Sequence, residues 1–211
     1  MSNLLWEYLR SQDSFRTLVS LHPSPEGNIL EFTDAETASA QIEFFRYIIA
    51  SLQPTKILET GTNKALFAYL LSHILPKPAT LYTFGLEPES GKCVNYLNSI
   101  QNKLQIKFYQ GDSKQTLPHF HEQGIEFAWV DGGHDEVTAY SDIVNCVRLN
   151  IPYIAIDDLR HSPHLQAVVQ RVLNEYPNYK YGENPFYHKD SRGAVLIVRS
   201  EGSSLLNRFK I

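Results

Sequence analysis

The chain has 211 residues, 43% of them hydrophobic and 20% charged, which supplies one core but leaves too little length for two comfortable domains. Its formal net charge of −4 and pI near 6.1 argue against binding nucleic acid or anionic lipid, since both require a concentrated basic face. No apolar run approaches the roughly 20 residues that cross a bilayer, so we predict a soluble, cytoplasmic protein. Cys93 and Cys146 lack C-x-x-C spacing, which indicates reduced thiols and not a disulfide scaffold or zinc site.

The N-terminal region is predicted to be helical. Ser2 to Ser20 has the pattern of one helix, Pro23 to Gly27 that of a turn, and Asp34 is a candidate N-cap for a second helix running through Ile49. We interpret these helices as a layer added to the following domain, with a surface that a homodimer could use.

From residue 56 onward, short β-rich runs alternate with longer helical stretches, a pattern typical of a parallel sheet with crossover helices. Strands are predicted, in chain order, at KILET (56–60), TLYTF (80–84), QIKFYQ (105–110), IEFAWVD (125–131), IPYIAID (151–157) and GAVLIVRS (193–200). The fifth strand lacks polar alternation, so we place it in the centre of the sheet. The chain therefore divides into a helical extension over residues 1–55 and an α/β domain over residues 56–211.

Apolar residues at helical spacing lie between these strands. The first predicted helix carries Leu66, Leu70 and Ile74, and the second is a polar stretch from Cys93 to Leu104. The third has a buried stripe of Val137, Tyr140, Val144 and Val147. The fourth carries Leu165, Val168, Val169, Val172, Leu173 and Tyr176 and is ended by Pro177. An aromatic segment from Tyr179 to Tyr187 could pair with the last strand as a hairpin.

The predicted strand ends are rich in acidic residues. They read Glu59-Thr60-Gly61-Thr62, Gly111-Asp112-Ser113, Asp131-Gly132-Gly133-His134 and Asp157-Asp158. Ligands of open parallel sheets bind beyond the carboxyl ends of the strands, so these residues are the candidate site. Three carboxylates converging on one rim would repel each other unless protons or a hard cation neutralised them.

Four segments, in this order and spacing, carry a family resemblance: ILETGTNKALFAYLL (57–71), FYQGDSKQTLP (108–118), FAWVDGGHDEVTAYSDI (127–143) and YIAIDDLR (153–160). Together they resemble the class I S-adenosylmethionine-dependent methyltransferases, in particular the small-molecule O-methyltransferase-like branch with a D-G-x-H fourth-strand motif. The resemblance covers about residues 40–200. It implies a Rossmann-like sheet of seven mostly parallel strands, with helices on both faces and the last strand antiparallel.

The resemblance also implies roles for individual residues. S-adenosylmethionine (SAM) would be held by Glu59, Gly61, Thr62, Glu87, Asp112, Ser113 and Asp131. A Mg²⁺-like ion, as in metal-dependent relatives, would be held by Asp131, Asp157 and Asp158. His134 is the candidate general base beside Asp131, and the acceptor would be a hydroxyl of a small molecule.

Three departures from the family pattern keep an alternative open. Ala65, Leu66 and Phe67 replace the expected glycines and small residue, Gly85 replaces an acid for which Glu87 could substitute, and Gly133 replaces the second acid of the fourth-strand motif. The alternative is a non-catalytic binding or assembly protein of the same fold, with Leu66 or Phe67 filling the cleft. A nicotinamide-dependent oxidoreductase would need G-x-G-x-x-G, and ETGTNKA lacks its final glycine.

The remaining histidines and aromatic residues carry weaker expectations. His119 and His121 are expected at the surface, and Trp129 in the core. Of His161 and His164, one could contact a substrate. Phe186, Tyr187 and His188 could line an acceptor pocket or pack at the sheet edge.

Overall fold

The computed structural model describes residues 2–23, 35–182 and 184–200. Within these residues lies a seven-stranded sheet of order β3-β2-β1-β4-β5-β7-β6. Its strands are β1 (Lys56–Thr60), β2 (Ala79–Gly85), β3 (Leu104–Gln110), β4 (Phe127–Val130), β5 (Tyr153–Ile156), β6 (Tyr179–Tyr181) and β7 (Val195–Arg199). Neighbours among β1 to β5 pair in parallel, whereas β7 runs antiparallel to β5 and β6. The predicted fold class is confirmed, including the antiparallel last strand.

Helices cover both faces of the sheet. They are α1 (Ser2–Ser11), α2 (Asp13–Leu21), α3 (Ala35–Leu52), α4 (Leu66–Ile74), α5 (Pro88–Ile100), α6 (Ser113–Thr116), α7 (Glu136–Arg148) and α8 (Pro163–Glu175), with 3₁₀ turns at Leu117–His119 and Tyr187–Lys189. Alternate residues of a strand face opposite sides, so Ile57 packs with α3 to α5 and Leu58 with α7 and α8. None of the helices described combines the length and apolar character needed to cross a bilayer.

The core on the α3 side is largely aromatic. The ring centroids of Phe45 and Trp129 lie 4.7 Å apart in an edge-to-face arrangement, and Phe67 lies 4.9 Å from Phe45. The predicted core position of Trp129 is confirmed. Leu9 and Leu18, from the N-terminal helices, belong to the same cluster, which ties those helices to the sheet.

Two predicted helix boundaries were wrong. Ser2 to Ser20 is not one helix, because the extended backbone of Gln12 separates α1 from α2. The polar helix begins at Pro88, since proline is favoured in a first turn, and ends before Leu104. There the Gln101 side-chain oxygen accepts hydrogen bonds from the backbone N–H groups of Lys103 and Leu104, which turns the chain into β3.

The predicted stripe of α7 was also wrong at its first position. Val137 is 68% exposed; it lies at the start of the helix, where the Asp135 side chain accepts hydrogen bonds from the N–H groups of Val137 and Thr138. The buried face instead carries Ala139 and Ile143 together with polar Asp142.

The other helix and turn predictions have mixed outcomes. Helix α3 continues to Leu52, beyond Ile49, while α8 ends before Pro177 as predicted. The predicted turn and the Asp34 cap fall on residues 24–34, which lie outside the described residues. The C-terminal hairpin forms, although only Tyr179–Tyr181 pairs with β7.

Candidate functional site

A cavity of about 710 Å³ opens at the carboxyl ends of β1, β2 and β4. This is where strand order reverses, with β2 and β4 on either side of β1, and such crevices hold the ligands of open α/β sheets. The volume suits a small molecule. The wall is formed by residues 61–63, 84–87, 111–114 and 131–135, by Thr138, Asp157 and Arg192.

Gly61 fixes the shape of the first wall. Its φ is +96°, and a Cβ there would lie 1.9 Å from the backbone oxygen of Asp131. The N–H groups of Gly61 and Thr62 both donate to the Phe84 carbonyl, at 2.8 and 3.1 Å. Only glycine therefore allows the turn after β1 to lie against both β2 and the end of β4.

The altered residues of this turn do not fill the cavity. Ala65 adopts the left-handed conformation (φ +57°) that usually favours glycine. Leu66 and Phe67 open α4 and are buried in the core, where Phe67 packs on Phe45 and Trp129. The structural condition set for a non-catalytic protein, a bulky side chain in the cleft, is not met by either residue.

Glu59 lies beneath the cavity and is not among the residues that line it. Its side chain is buried, Thr83 Oγ1 donates to Oε2 at 2.5 Å, and the Thr83 and Thr62 hydroxyls are 2.6 Å apart. Burial raises the pKa of Glu59 to about 8. Any influence on a ligand would pass through the Thr62 hydroxyl, so the direct cofactor contact stays a prediction.

Glu87, Asp112 and Ser113 line the cavity, as Gly61 and Thr62 do. Asp112 caps α6 by accepting a hydrogen bond from the Lys114 N–H at 2.9 Å, whereas the exposed Glu87 caps α5 without a side-chain bond. At Gly85 a Cβ would lie 2.8 Å from Thr62 Oγ1. An acid cannot fit at position 85 beside Thr62, which explains this departure from the family pattern.

Asp131, His134 and Asp158 converge at the rim. One potential metal-ligand atom from each side chain lies within 4.8 Å of those of the other two. His134 Nε2 lies 3.6 Å from Asp131 Oδ1 and 3.2 Å from Asp158 Oδ2. The neighbouring carboxylates, Asp131 first, raise the pKa of His134, and burial raises that of Asp131. The predicted grouping of His134 with Asp131 and Asp158 is present.

Asp157 is separated from this cluster. It lines the cavity, but its buried Oδ1 accepts a hydrogen bond from Gln41 Nε2 at 3.0 Å. Burial, reinforced by Asp131 and Asp158, raises the pKa of Asp157 well above its ordinary value. Gln41 belongs to α3, so the N-terminal helices contribute to the site, and no pattern in the sequence pointed to it.

Arg192 is the second residue that sequence analysis missed. Its guanidinium binds both carboxylate oxygens of Asp158, with Nη2 2.5 Å from Oδ2 and Nε in contact with Oδ1. Asp158 itself has a left-handed backbone (φ +64°). A basic residue just before the last strand was a visible signal, but its partner is 34 residues away in the chain.

The predicted Mg²⁺ does not fit this arrangement. Asp157 lies outside the cluster, His134 would contribute a nitrogen where Mg²⁺ prefers oxygen, and Arg192 engages both oxygens of Asp158. A divalent ion would have to displace the guanidinium.

The remaining predicted residues lie around the site or away from it. His164 contacts the His134 carbonyl, whereas His161 is exposed. His119 and His121 are exposed, as predicted, beside a second cavity of about 840 Å³. Phe186 packs against Tyr47 and the core (centroids 6.3 Å apart), and Arg160 stacks over Tyr187.

Sequence and structure comparisons place these features among known proteins. A family model described as a methyltransferase domain matches residues 58–159. No curated protein sequence matches the chain.

Solved structures share the fold at low identity. Cofactor-bound Rv0187 from MTB is 14% identical, with a TM-score of 0.66, covering 92% of this chain and 95% of that one. TomG, an O-methyltransferase from Streptomyces achromogenes in complex with SAM, is 13% identical with a TM-score of 0.65, covering 93% and 96%. An O-methyltransferase from Bacillus cereus in complex with S-adenosylhomocysteine (SAH) is 13% identical with a TM-score of 0.62, covering 93% of this chain and 97% of that one.

The family match and the fold agree with the motifs at the strand ends. The matched residues contain the end of β1, all of β2 to β5 and every turn that lines the cavity between Gly61 and Asp157. Residues 58–159 therefore match a methyltransferase domain, and the chain shares its fold with solved SAM-dependent O-methyltransferases.

Proposed function

We propose that this protein transfers the methyl group of SAM to a hydroxyl of a small-molecule acceptor. The observation that carries the proposal is the position of His134, which is held between Asp131 and Asp158 at the rim of a cavity whose first wall is the Gly61 turn. A base beside a cofactor-sized cleft is what hydroxyl methylation requires.

The cavity wall offers suitable groups for each part of SAM. Backbone at Gly61 and Thr62 can approach its amino-acid end, because Gly61 has no side chain. The exposed Glu87 can accept hydrogen bonds from ribose hydroxyls, and Asp112 and Ser113, which the resemblance assigns to the adenine, also line the cavity. When bound, SAM supplies an electrophilic methyl group on a sulfonium centre.

The protein's own contribution is alignment and proton removal. Methyl transfer is an in-line displacement, so holding the acceptor oxygen in line with the methyl group supplies much of the acceleration. The His134 imidazole accepts the hydroxyl proton, and the resulting imidazolium, whose Nε2 lies between Asp131 and Asp158, is stabilised by both carboxylates. A divalent metal is not part of this proposal, because Arg192 already pairs with Asp158.

Calorimetry with SAM and SAH tests the proposal. Wild-type protein should bind both, and Gly61→Ala should lose binding, because the added Cβ displaces the turn from Asp131. Gly124→Ala is the matched control: it has a positive φ (+74°) but nothing within 4 Å of the added carbon, so its binding should be retained. Folded wild-type protein that binds neither compound would rule the enzyme out.

A further inference from the structure

The segment 190–194 is built to hold one arginine over the acidic rim. Asp190 is buried, and its two carboxylate oxygens accept hydrogen bonds from the N–H groups of Arg192 (3.0 Å) and Ala194 (2.9 Å). Arg160 closes the segment from the other side, since its Nη1 donates to the Asp190 carbonyl and its N–H to the Arg192 carbonyl. The backbone that carries Arg192 is therefore fixed by charge and by hydrogen bonds.

A second brace comes from the N-terminal helices. The hydroxyls of Thr37, on α3, and Ser191 lie 2.7 Å apart, and the Ser191 N–H donates to Thr37 Oγ1. At Gly193 (φ +80°) a Cβ would lie 2.6 Å from Arg160 Cγ, so glycine is needed for this packing. Arg192 is thus positioned by α3, by the buried Asp190 and by Arg160 after β5.

The guanidinium occupies the electrostatic role that a metal would otherwise fill. Asp131 and Asp158 both lie against His134 Nε2, and carboxylates gathered at one rim are stabilised by a nearby positive charge. Arg192 provides it through a bidentate pair with the buried Asp158, and a planar guanidinium matches a carboxylate in this geometry. Asp158 in turn lies 3.2 Å from His134 Nε2.

We propose that Arg192 replaces the divalent cation at this rim, and that it acts as a positioning residue, holding Asp158 beside His134. The significance for catalysis rests on the proposed function, but the cation replacement itself does not. Because arginine stays charged and cannot exchange, methyl transfer should be insensitive to chelators, and the rim should have no affinity for divalent ions while Arg192 is present.

Manganese titration followed by electron paramagnetic resonance tests this directly, without cofactor or acceptor. Wild-type protein should leave the free Mn²⁺ signal unchanged, as should Arg171→Ala, which removes an exposed arginine on α8. Arg192→Ala should gain a Mn²⁺ site, and adding Asp158→Asn to that variant should abolish it. Arg192→Lys, which keeps the charge, should gain none.

Two outcomes would overturn the proposal. One is Mn²⁺ binding by wild-type protein that Asp158→Asn removes; the other is the absence of Mn²⁺ binding by a folded Arg192→Ala variant. Circular dichroism checks that each variant is folded. If Arg192→Ala does not fold, Arg192→Gln, which keeps a polar side chain but no charge, is measured in its place. SAH binding measured on the same samples reports the proposed function separately, so the two ideas can fail independently.

Discussion

The candidate site and its surroundings contain several buried carboxyl groups whose pKa values are raised. Glu59, Asp131 and Asp157 all lose hydration on folding, and burial is the first cause of the raised pKa of each. Their partners differ, however: a threonine hydroxyl, a histidine and a glutamine amide. The same functional group therefore meets three environments: a threonine hydroxyl beneath the cavity at Glu59, a histidine at Asp131 and a glutamine amide at Asp157.

Glu59→Gln should flatten the pH dependence of stability. The folded carboxyl has a pKa of about 8 against 4.5 for the free group, so between these values the unfolded chain releases a proton that the folded chain keeps. Stability should fall as pH rises through this window, by at most about 1.4 kcal/mol per pH unit. Urea denaturation at several pH values measures the slope. The exposed Glu7→Gln control should keep it, and an unchanged slope in Glu59→Gln would contradict the assignment.

His134→Gln should lower the methyl-transfer rate by about 10²- to 10⁴-fold, the usual contribution of a general base. SAH affinity should change little, because the imidazole faces the acceptor and not the cofactor in the proposed arrangement. The exposed His121→Gln variant is the control. Turnover with an identified acceptor, together with calorimetry, would separate the two effects, and full activity in His134→Gln would exclude its role as the base.

Among the helices, α3 and α4 contribute most beyond what their position in the chain suggests. From helix α3, Thr37 contacts Ser191 and Gln41 donates to Asp157, while the bulky first residues of α4 are buried in the core. Helix α3, which lies outside the family match, therefore supports residues of the site.

Gln41→Ala should destabilise the protein by about 1–3 kcal/mol, the cost of leaving a buried polar group without its partner. The group in question is Asp157 Oδ1, which accepts the Gln41 amide. Denaturant titration measures the difference in the free energy of unfolding. Exposed Gln115→Ala should lie within about 0.5 kcal/mol of wild type, and an equally small effect at Gln41 would show that the bond contributes nothing.

Phe67→Ala should cost about 3–5 kcal/mol of stability, the usual penalty for truncating a buried phenylalanine. Its ring packs on Phe45 and Trp129 and does not border the cavity. SAH affinity in the folded variant should match that of wild type. A large gain in affinity would instead mean that the ring obstructs the cleft.

At the scale of the whole molecule, the proposed binding of SAH should be coupled to folding. The cleft is assembled from the turns after β1 to β5 and from Arg192, residues that come together only in the folded state. SAH at about 100 times its dissociation constant should therefore add about 2.7 kcal/mol to the free energy of unfolding. Thermal denaturation at increasing SAH concentration measures this, and Gly61→Ala should show no increase.

Much of this architecture follows from local sequence. Alternating β-rich and helical runs predict the parallel sheet, and glycine and aspartate at the strand ends mark the site, because both signals depend on neighbours in the chain. The helix boundaries at Gln12 and Pro88 were predicted less well, because local backbone conformation sets them. The exposure of Val137, at the helix start that Asp135 caps, was not predicted either.

What the residue order alone established was the sheet and the acidic strand ends. The partners of those acids were decided by tertiary structure, because Gln41 is 116 residues from Asp157 and Arg192 is 34 residues from Asp158. Contacts across such separations leave no periodic pattern in the chain. The sequence led us to expect a metal between the carboxylates, and folding placed a guanidinium there, because a fixed positive charge from the same chain satisfies the same electrostatic requirement.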